Sequence, residues 1–229
     1  MNLSKEEWDV ILKGILEEEF GGEKMLLKTA TYSTKNLESI ENLGKTAAEK
    51  AANFVQEMSG ESVDVKVFKV NLTSTPELLD KISDEENKVF TQIDFNGEIS
   101  GVGVLIFSEE SALKMADAML LGMGMEEESN EKFGEMRVSA INETCNLLIS
   151  AFVDTIANFM ETGLNMTPPN FWIGKMRDLI MNEVKNHKIE AKDSIFTFKS
   201  ELFSNNIGSG FEVFIVMDPE STNNLFEKI

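Results

Sequence analysis

One cysteine, Cys145, and one histidine, His187, are all the chain has of either, and its 21 Lys and Arg face 40 Asp and Glu. Each shortage closes off some chemistry. A lone cysteine forbids an internal disulfide, and one Cys with one His cannot assemble the three or four nitrogen and sulfur ligands of the usual zinc sites. A formal net charge of −19 leaves no basic surface to neutralise phosphates, so nucleic acid is not an expected partner and neither is an anionic membrane. No apolar run approaches the roughly 20 residues of a membrane span, and the opening MNLSKEEWDV is charged from Lys5 onward. A cytoplasmic protein without membrane insertion is expected. His187 lies in the polar stretch KNHKIE and no G-x-S-x-G elbow exists, which removes the nucleophilic triads. No phosphate-cradling loop opens a helix either; Gly101 and Gly103 lie within a strand pattern, where glycine is expected to mark a bulge. The acid runs Glu17 to Glu19 and Glu126 to Glu128 are consecutive and fan apart, so they read as solvated charge and no metal is expected of the chain itself.

What remains is 229 residues, 42% hydrophobic, enough to bury a core. Ser4 followed by Glu7 is a capping box, with Trp8, Ile11, Leu12 and Ile15 at helical spacing behind it. A short N-terminal amphipathic helix is expected over residues 1–20, then a linker over 21–35. From about Asn36, Ile40, Leu43, Ala47, Ala51, Phe54 and Val55 form one apolar stripe that stops at Ser59-Gly60. A strand from Val63 to Val70 and a short helix after Pro76 come next. Phe90 to Phe95 and Gly101 to Phe107 read as a hairpin about the turn Asn96-Gly97, and Ser108 caps a helix to Leu121. Beyond the acidic, Gly-punctuated stretch 122–134 comes a long helix from Met136 to Met160. Its expected buried face holds Val138, Ile141, Cys145, Leu148, Phe152, Ile156 and Phe159. A strand near Phe171 to Ile173, a helix near Arg177 to Val184, a closing hairpin and a last helix from Asp218-Pro219 complete the chain.

The two halves repeat. GVGVLIFSEESALKMADAML has its counterpart in GFEVFIVMDPESTNNLFEKI, each an apolar strand, a cap and Glu-Ser opening a helix, at an offset of 221 − 111 = 110. Asn42 and Asn146 lie in the long helix of each half at 146 − 42 = 104. Repeats over about 36–121 and 136–229 give an α+β fold with pseudo-two-fold symmetry, an antiparallel-containing sheet and two long helices packed together. Within SAINETCN, Ser139, Glu143 and Asn146 project from one helix face. An acceptor-only carboxylate beside an amide makes a two-point clamp, the amide being able to orient a water. The other reading is a solvated polar face, since E-x-x-N arises often by chance.

SAINETCNLLISA with the downstream Pro168-Pro169 resembles the [D/S]-x-x-x-E-x-x-N signature and Pro-Pro pair of the CheC/CheX/FliY chemotaxis phosphatases. ENLGKTAAEKAANFVQEMSGESVDVKVFKV and NGEISGVGVLIFSEESALKMADAMLLG are similar to further segments of that family, so the likeness runs from about Asn36 to the C-terminus. It implies a CheC-like phosphatase domain over 36–229 acting in two-component signalling. Glu143 and Asn146 would be the catalytic pair, with Glu143 anchoring the partner and Asn146 positioning water. The substrate would be the phospho-aspartate of a CheY-type response regulator, whose own Mg²⁺ is the only ion implied. In the first half Asn42 keeps the amide, but Ser39 stands where the acid belongs, Lys35 stands four residues further back, and Glu38 is one place off. Asn42 with Glu38 is therefore a candidate second, degenerate site.

The opening LSKEEWDVILKG is similar to the CheY-binding peptide at the start of the switch proteins FliY and FliM. That likeness implies partner contacts from Leu3, Ser4, Glu7, Trp8, Asp9 and Leu12, and a place at the flagellar motor switch among its proteins. A full FliY would carry a FliN-like C-terminal domain as well, so the likeness implies either a fragment or a shorter relative. Three readings stay open: hydrolysis of the phospho-regulator, a non-catalytic switch scaffold that binds phosphorylated CheY, or an adhesin-like or purely structural α/β domain on which Ser139, Glu143 and Asn146 are a solvated face.

Overall fold

The structure, a computed structural model, describes residues 34–80, 82, 86–186, 189–190 and 194–228. The chain divides into two units, Met1–Glu38 and Ser39–Ile229, and the sheet with its helices belongs to the second, apart from the first turn of the opening helix. The expected N-terminal helix and the partner contacts from Leu3 to Leu12 lie outside the described residues, as does His187.

In chain order the elements are α1 (Thr34–Ser59), β1 (Asp64–Ser74), α2 (Thr75–Asp80), β2 (Lys88–Gly97), β3 (Gly101–Phe107), α3 (Glu109–Gly122) and α4 (Glu135–Met160). The chain continues through β4 (Leu164–Met166), β5 (Asn170–Gly174), α5 (Met176–Asn186), β6 (Ser194–Ser204), β7 (Ser209–Met217) and α6 (Pro219–Lys228). The seven strands form one antiparallel sheet in the order β1-β6-β7-β3-β2-β4, with β5 also on β2. α1 ends where Gly60 takes φ +72, a conformation open to glycine at no steric cost, and its N–H bonds to Gln56 O at 2.9 Å.

The strand order reads the same from both ends once the halves are exchanged. Val104 pairs with Phe214 (214 − 104 = 110), which places the pseudo-dyad between these two residues. The pairs Lys69–Lys199 and Val89–Ile173 map onto each other under the same two offsets found in the sequence, 173 − 69 = 104 and 199 − 89 = 110. Each half therefore lends its first strand to the other: β1 pairs with β6, while β4 and β5 pair with β2. On the helix face of the sheet Lys50 Nζ donates to Thr155 Oγ1 at 3.3 Å, joining α1 to α4, and Ile40 and Ala47 line one apolar seam with Phe152 and Ile156. The opposite face packs Val102, Val104, Ile106, Phe214 and Val216 against Leu179 and Ile180 of α5. With both faces covered, every residue of β3 is buried, which is why GVGVLIF reads as an unbroken apolar run.

Three expectations fail for identifiable reasons. Asn96 and Gly97 do not form the hairpin turn; they continue β2 and pair with Asn165 and Leu164, so the chain reverses at residues 98–100. No bulge marks Gly101 or Gly103, since the β2–β3 and β3–β7 registers run through both without a shift. These glycines serve close approach: a Cβ on Gly103 would lie 2.4 Å from Ile149 Cγ2 of α4, and one on Gly101 would lie 2.2 Å from Val216 O. Phe54 leaves the expected stripe and is 37% exposed, with Ala48 buried in its stead.

Candidate functional site

The site is built on α4, whose N-cap residue is Gly134 and has no side chain to offer. Glu127, seven residues earlier, does that work: Arg137 N donates to Glu127 Oε2 at 2.9 Å while Ser129 N donates to Oε1 at 2.9 Å. These two bonds, Arg137 first, hold the Glu127 carboxyl below its ordinary value, because both stabilise the charged form. The Arg137 side chain donates from Nε to Asp117 Oδ1 at 2.7 Å and pins α4 to α3, and Asp117 in turn raises the guanidinium pKa.

Two turns along, α4 docks on β2. Thr91 Oγ1 donates to Asn142 Oδ1 at 2.8 Å, and Cys145 Sγ bonds to Thr91 O at 3.4 Å. Burial pushes the Cys145 thiol up to about 12, so it is an inert part of the core and no nucleophile. With positions 142 and 145 turned to the sheet, Glu143 and Ser139 stand exposed and Asn146 half-buried. The side chains of Glu143 and Asn146 make no hydrogen bond or ion pair with any described residue.

They open into a cleft of about 840 Å³, walled by Ser139, Asn142, Glu143 and Asn146 on one side and by Asn165 to Pro169 on the other. The second wall is a product of the Pro-Pro pair. Met166 pairs with Phe95 and Asn170 with Gln92, so four steps on this strand span three on β2, a one-residue bulge at Pro168-Pro169. Proline has no N–H for the ladder, and here the strand divides into β4 and β5. Thr167 keeps the divided segment in place, its N–H donating to Asp94 O at 2.9 Å and its Oγ1 accepting from Asp94 N at 3.0 Å. In the first half, β1 has a one-residue irregularity at the matching place, between Val65 and Val67, yet stays continuous over eleven residues.

The structure thus brings Ser139, Glu143, Asn146 and Pro168-Pro169 together. Asn42 and Glu38 are both exposed, and the position matching Glu143 is held by Ser39. Asn142, Asn165 and Thr167 line the cleft without having been singled out from the sequence. Asn142 could have been found as the residue four before Asn146, but the loop residues had no signal. Among the described residues no group of three or more His, Cys, Asp or Glu could hold a metal ion, and no helix is long and apolar enough to cross a membrane.

This fold has known counterparts. Residues 89–189, which contain Glu143, Asn146 and Pro168-Pro169 but not Asn42, match the family described as chemotaxis phosphatase CheX. The chain is 22% identical over 135 residues to a CheC1 protein of Halobacterium salinarum that carries the name of a CheY-P phosphatase; the match covers 59% of this chain and 67% of that one. Among solved structures, FliY of Thermotoga maritima superposes with a TM-score of 0.65 at 16% identity, over 86% of this chain and 96% of that one. The FliM middle domain of H. pylori gives 0.59 at 14% identity, over 86% and 99%. The fold is the CheC-like fold, and residues 89–189 are similar to the chemotaxis phosphatase CheX family. The chain resembles the CheC/CheX/FliY proteins in both respects, and in fold it is similar to the FliY domain over most of its length.

Proposed function

We propose that this chain hydrolyses the phospho-aspartate of a CheY-type response regulator, with Glu143 and Asn146 as the residues that act. One observation carries the reading: an acid and an amide, three residues apart on a rigid helix, face an open cleft and have no partner of their own among the described residues. Groups so presented serve a partner that brings the rest of the chemistry.

Glu143, acceptor-only, pairs with a cation on the regulator and fixes the encounter. Asn146 reaches the acyl phosphate and holds a water in line with the phosphorus. The water oxygen forms the new P–O bond, the bond to the aspartyl oxygen breaks, the aspartate leaves as a carboxylate and inorganic phosphate departs. Rate comes from positioning, with little covalent chemistry asked of this chain. The Mg²⁺ that accompanies such a phosphoryl group is placed on the regulator.

Phosphate release from a CheY-type regulator kept phosphorylated by acetyl phosphate tests this. Asn146→Ala is expected to lower the rate by about 10²-fold, the usual loss when a positioning group goes. An unchanged rate sinks the assignment. The scaffold reading is favoured by the likeness of the opening peptide to a CheY-binding motif. It predicts that deleting residues 1–20 abolishes recruitment of the phosphorylated regulator and that no phosphate release is seen at any regulator concentration. Hydrolysis that survives the deletion at high regulator concentration excludes it.

A further inference from the structure

The cleft holds an amide that the signature does not require. Asn142 lies four residues before Asn146, so the two amides sit one above the other on the same face of α4. Its orientation is fixed from below. Thr91 is 0% exposed, a buried hydroxyl needs an acceptor, and the acceptor it uses is Asn142 Oδ1 at 2.8 Å. An amide whose oxygen is taken by a buried donor presents its nitrogen at the other end. Asn142 lines the cleft, and its Nδ2 makes no hydrogen bond to any described residue. Thr91 is itself held, since its backbone oxygen receives Cys145 Sγ at 3.4 Å from the next turn of the same helix.

The charge of the cleft gives this donor a use. Glu135 and Glu143 also line it, and carboxylates repel the oxygens of a phosphoryl group. The groups on α4 able to receive an anionic oxygen there are neutral donors. Across the pseudo-dyad the positions matching Asn142 and Thr91 are Glu38 and Glu201, so the arrangement occurs once in the chain.

We infer that Asn142 is a binding residue that donates from Nδ2 to an anionic oxygen of the phosphorylated partner beside the water held by Asn146, and that Thr91 is the positioning residue that keeps the amide aimed. Because the amide is ordered before the partner arrives, little side-chain entropy is lost on binding. The inference rests on the phosphatase reading above.

The test uses the full chain with a CheY-type regulator phosphorylated by acetyl phosphate, and resolves KM from kcat. Asn142→Asp keeps the shape and the acceptor for Thr91 but replaces the donor with negative charge. KM is expected to rise by about 10- to 100-fold, the range for a hydrogen bond to a charged group, with a smaller change in kcat. Thr91→Val frees the amide without touching the cleft and should raise KM several-fold, while Thr91→Ser restores it; a purely structural role for Thr91 would move thermal stability and leave KM alone. A KM for Asn142→Asp within about twofold of wild type, or equal KM values for Thr91→Val and Thr91→Ser, overturns the inference. If the wild-type chain releases no phosphate, the phosphatase reading is what fails. The same variants are then compared in their affinity for the phosphorylated regulator, where unchanged binding by Asn142→Asp overturns the inference too.

Discussion

Asn42 and Asn146 occupy matching turns of two helices, yet only Asn146 has a carboxylate three residues before it. On a helix of 3.6 residues per turn, Glu38 is rotated by about 100° from the place that Glu143 holds in its own half. Ser39 occupies that place and has no charge to contribute. Asn42→Ala is therefore expected to keep most of the phosphate-release rate while Glu143→Ala loses most of it, chiefly through weaker affinity for the regulator. Equal losses from the two single substitutions would show that the first half works with Glu38 or another acid. Cys145 gives a second test at this scale. With its thiol pushed up to about 12 by burial, it should resist alkylation at pH 8 in the folded protein and react once denaturant exposes it, as read by mass spectrometry.

The elements that carry the site are held by contacts far from it in sequence. α4 begins at a glycine and takes its cap from Glu127 in the loop between the halves. A carboxyl held below its ordinary value of 4.5 stabilises the fold fully above that value, and the contribution disappears as pH falls through the lowered one. Protection factors of the Arg137 and Val138 amides in hydrogen exchange, with the intrinsic pH dependence of exchange divided out, should therefore fall on acidification below about pH 4.5. In Glu127→Gln that pH step is expected to vanish, because the amide oxygen does not titrate; a step that survives would assign the effect to another acid. Further along, α4 rests on the sheet through the contact of Ile149 with Gly103. Gly103→Ala drives a methyl into that contact and should cost about 1–3 kcal/mol by overpacking, seen as a lower Tm in thermal unfolding.

At the scale of the molecule, each half is completed by the other. β1 finds its ladder on β6, and β4 and β5 find theirs on β2, so a half cut from its partner has an unpaired first strand and an exposed hairpin edge. Separate polypeptides covering 34–125 and 126–229 should each lack a cooperative unfolding transition, and mixing them should restore one, as followed by circular dichroism. Independent folding of either piece would contradict the interlocked sheet. The two edges of this shared plan differ at one place. The matching irregularity lies in β1 on one edge and between β4 and β5 on the other, and only the second contains two prolines.

The sequence by itself determined the order and kind of the elements apart from β4, because stripes at helical spacing, alternating strands and caps are local signals that burial on one face writes directly into the chain. Ser108 capping α3 and Asp218 capping α6 are of this kind, the latter accepting from Ser221 N at 2.7 Å. That Glu143 and Asn146 share a face was equally legible, since spacing on one helix fixes it. Only the tertiary structure decided what lies opposite. That Asn96-Gly97 extends β2 depends on a short β4 arriving from residues 164–166, and that Gly101 and Gly103 clear space for other elements depends on how closely α4 and β7 approach. The anchoring of Asn142 by Thr91, 51 residues away, is a result of the same packing. Such contacts join residues far apart in the chain, and no local pattern encodes which distant partner a folded sheet will bring.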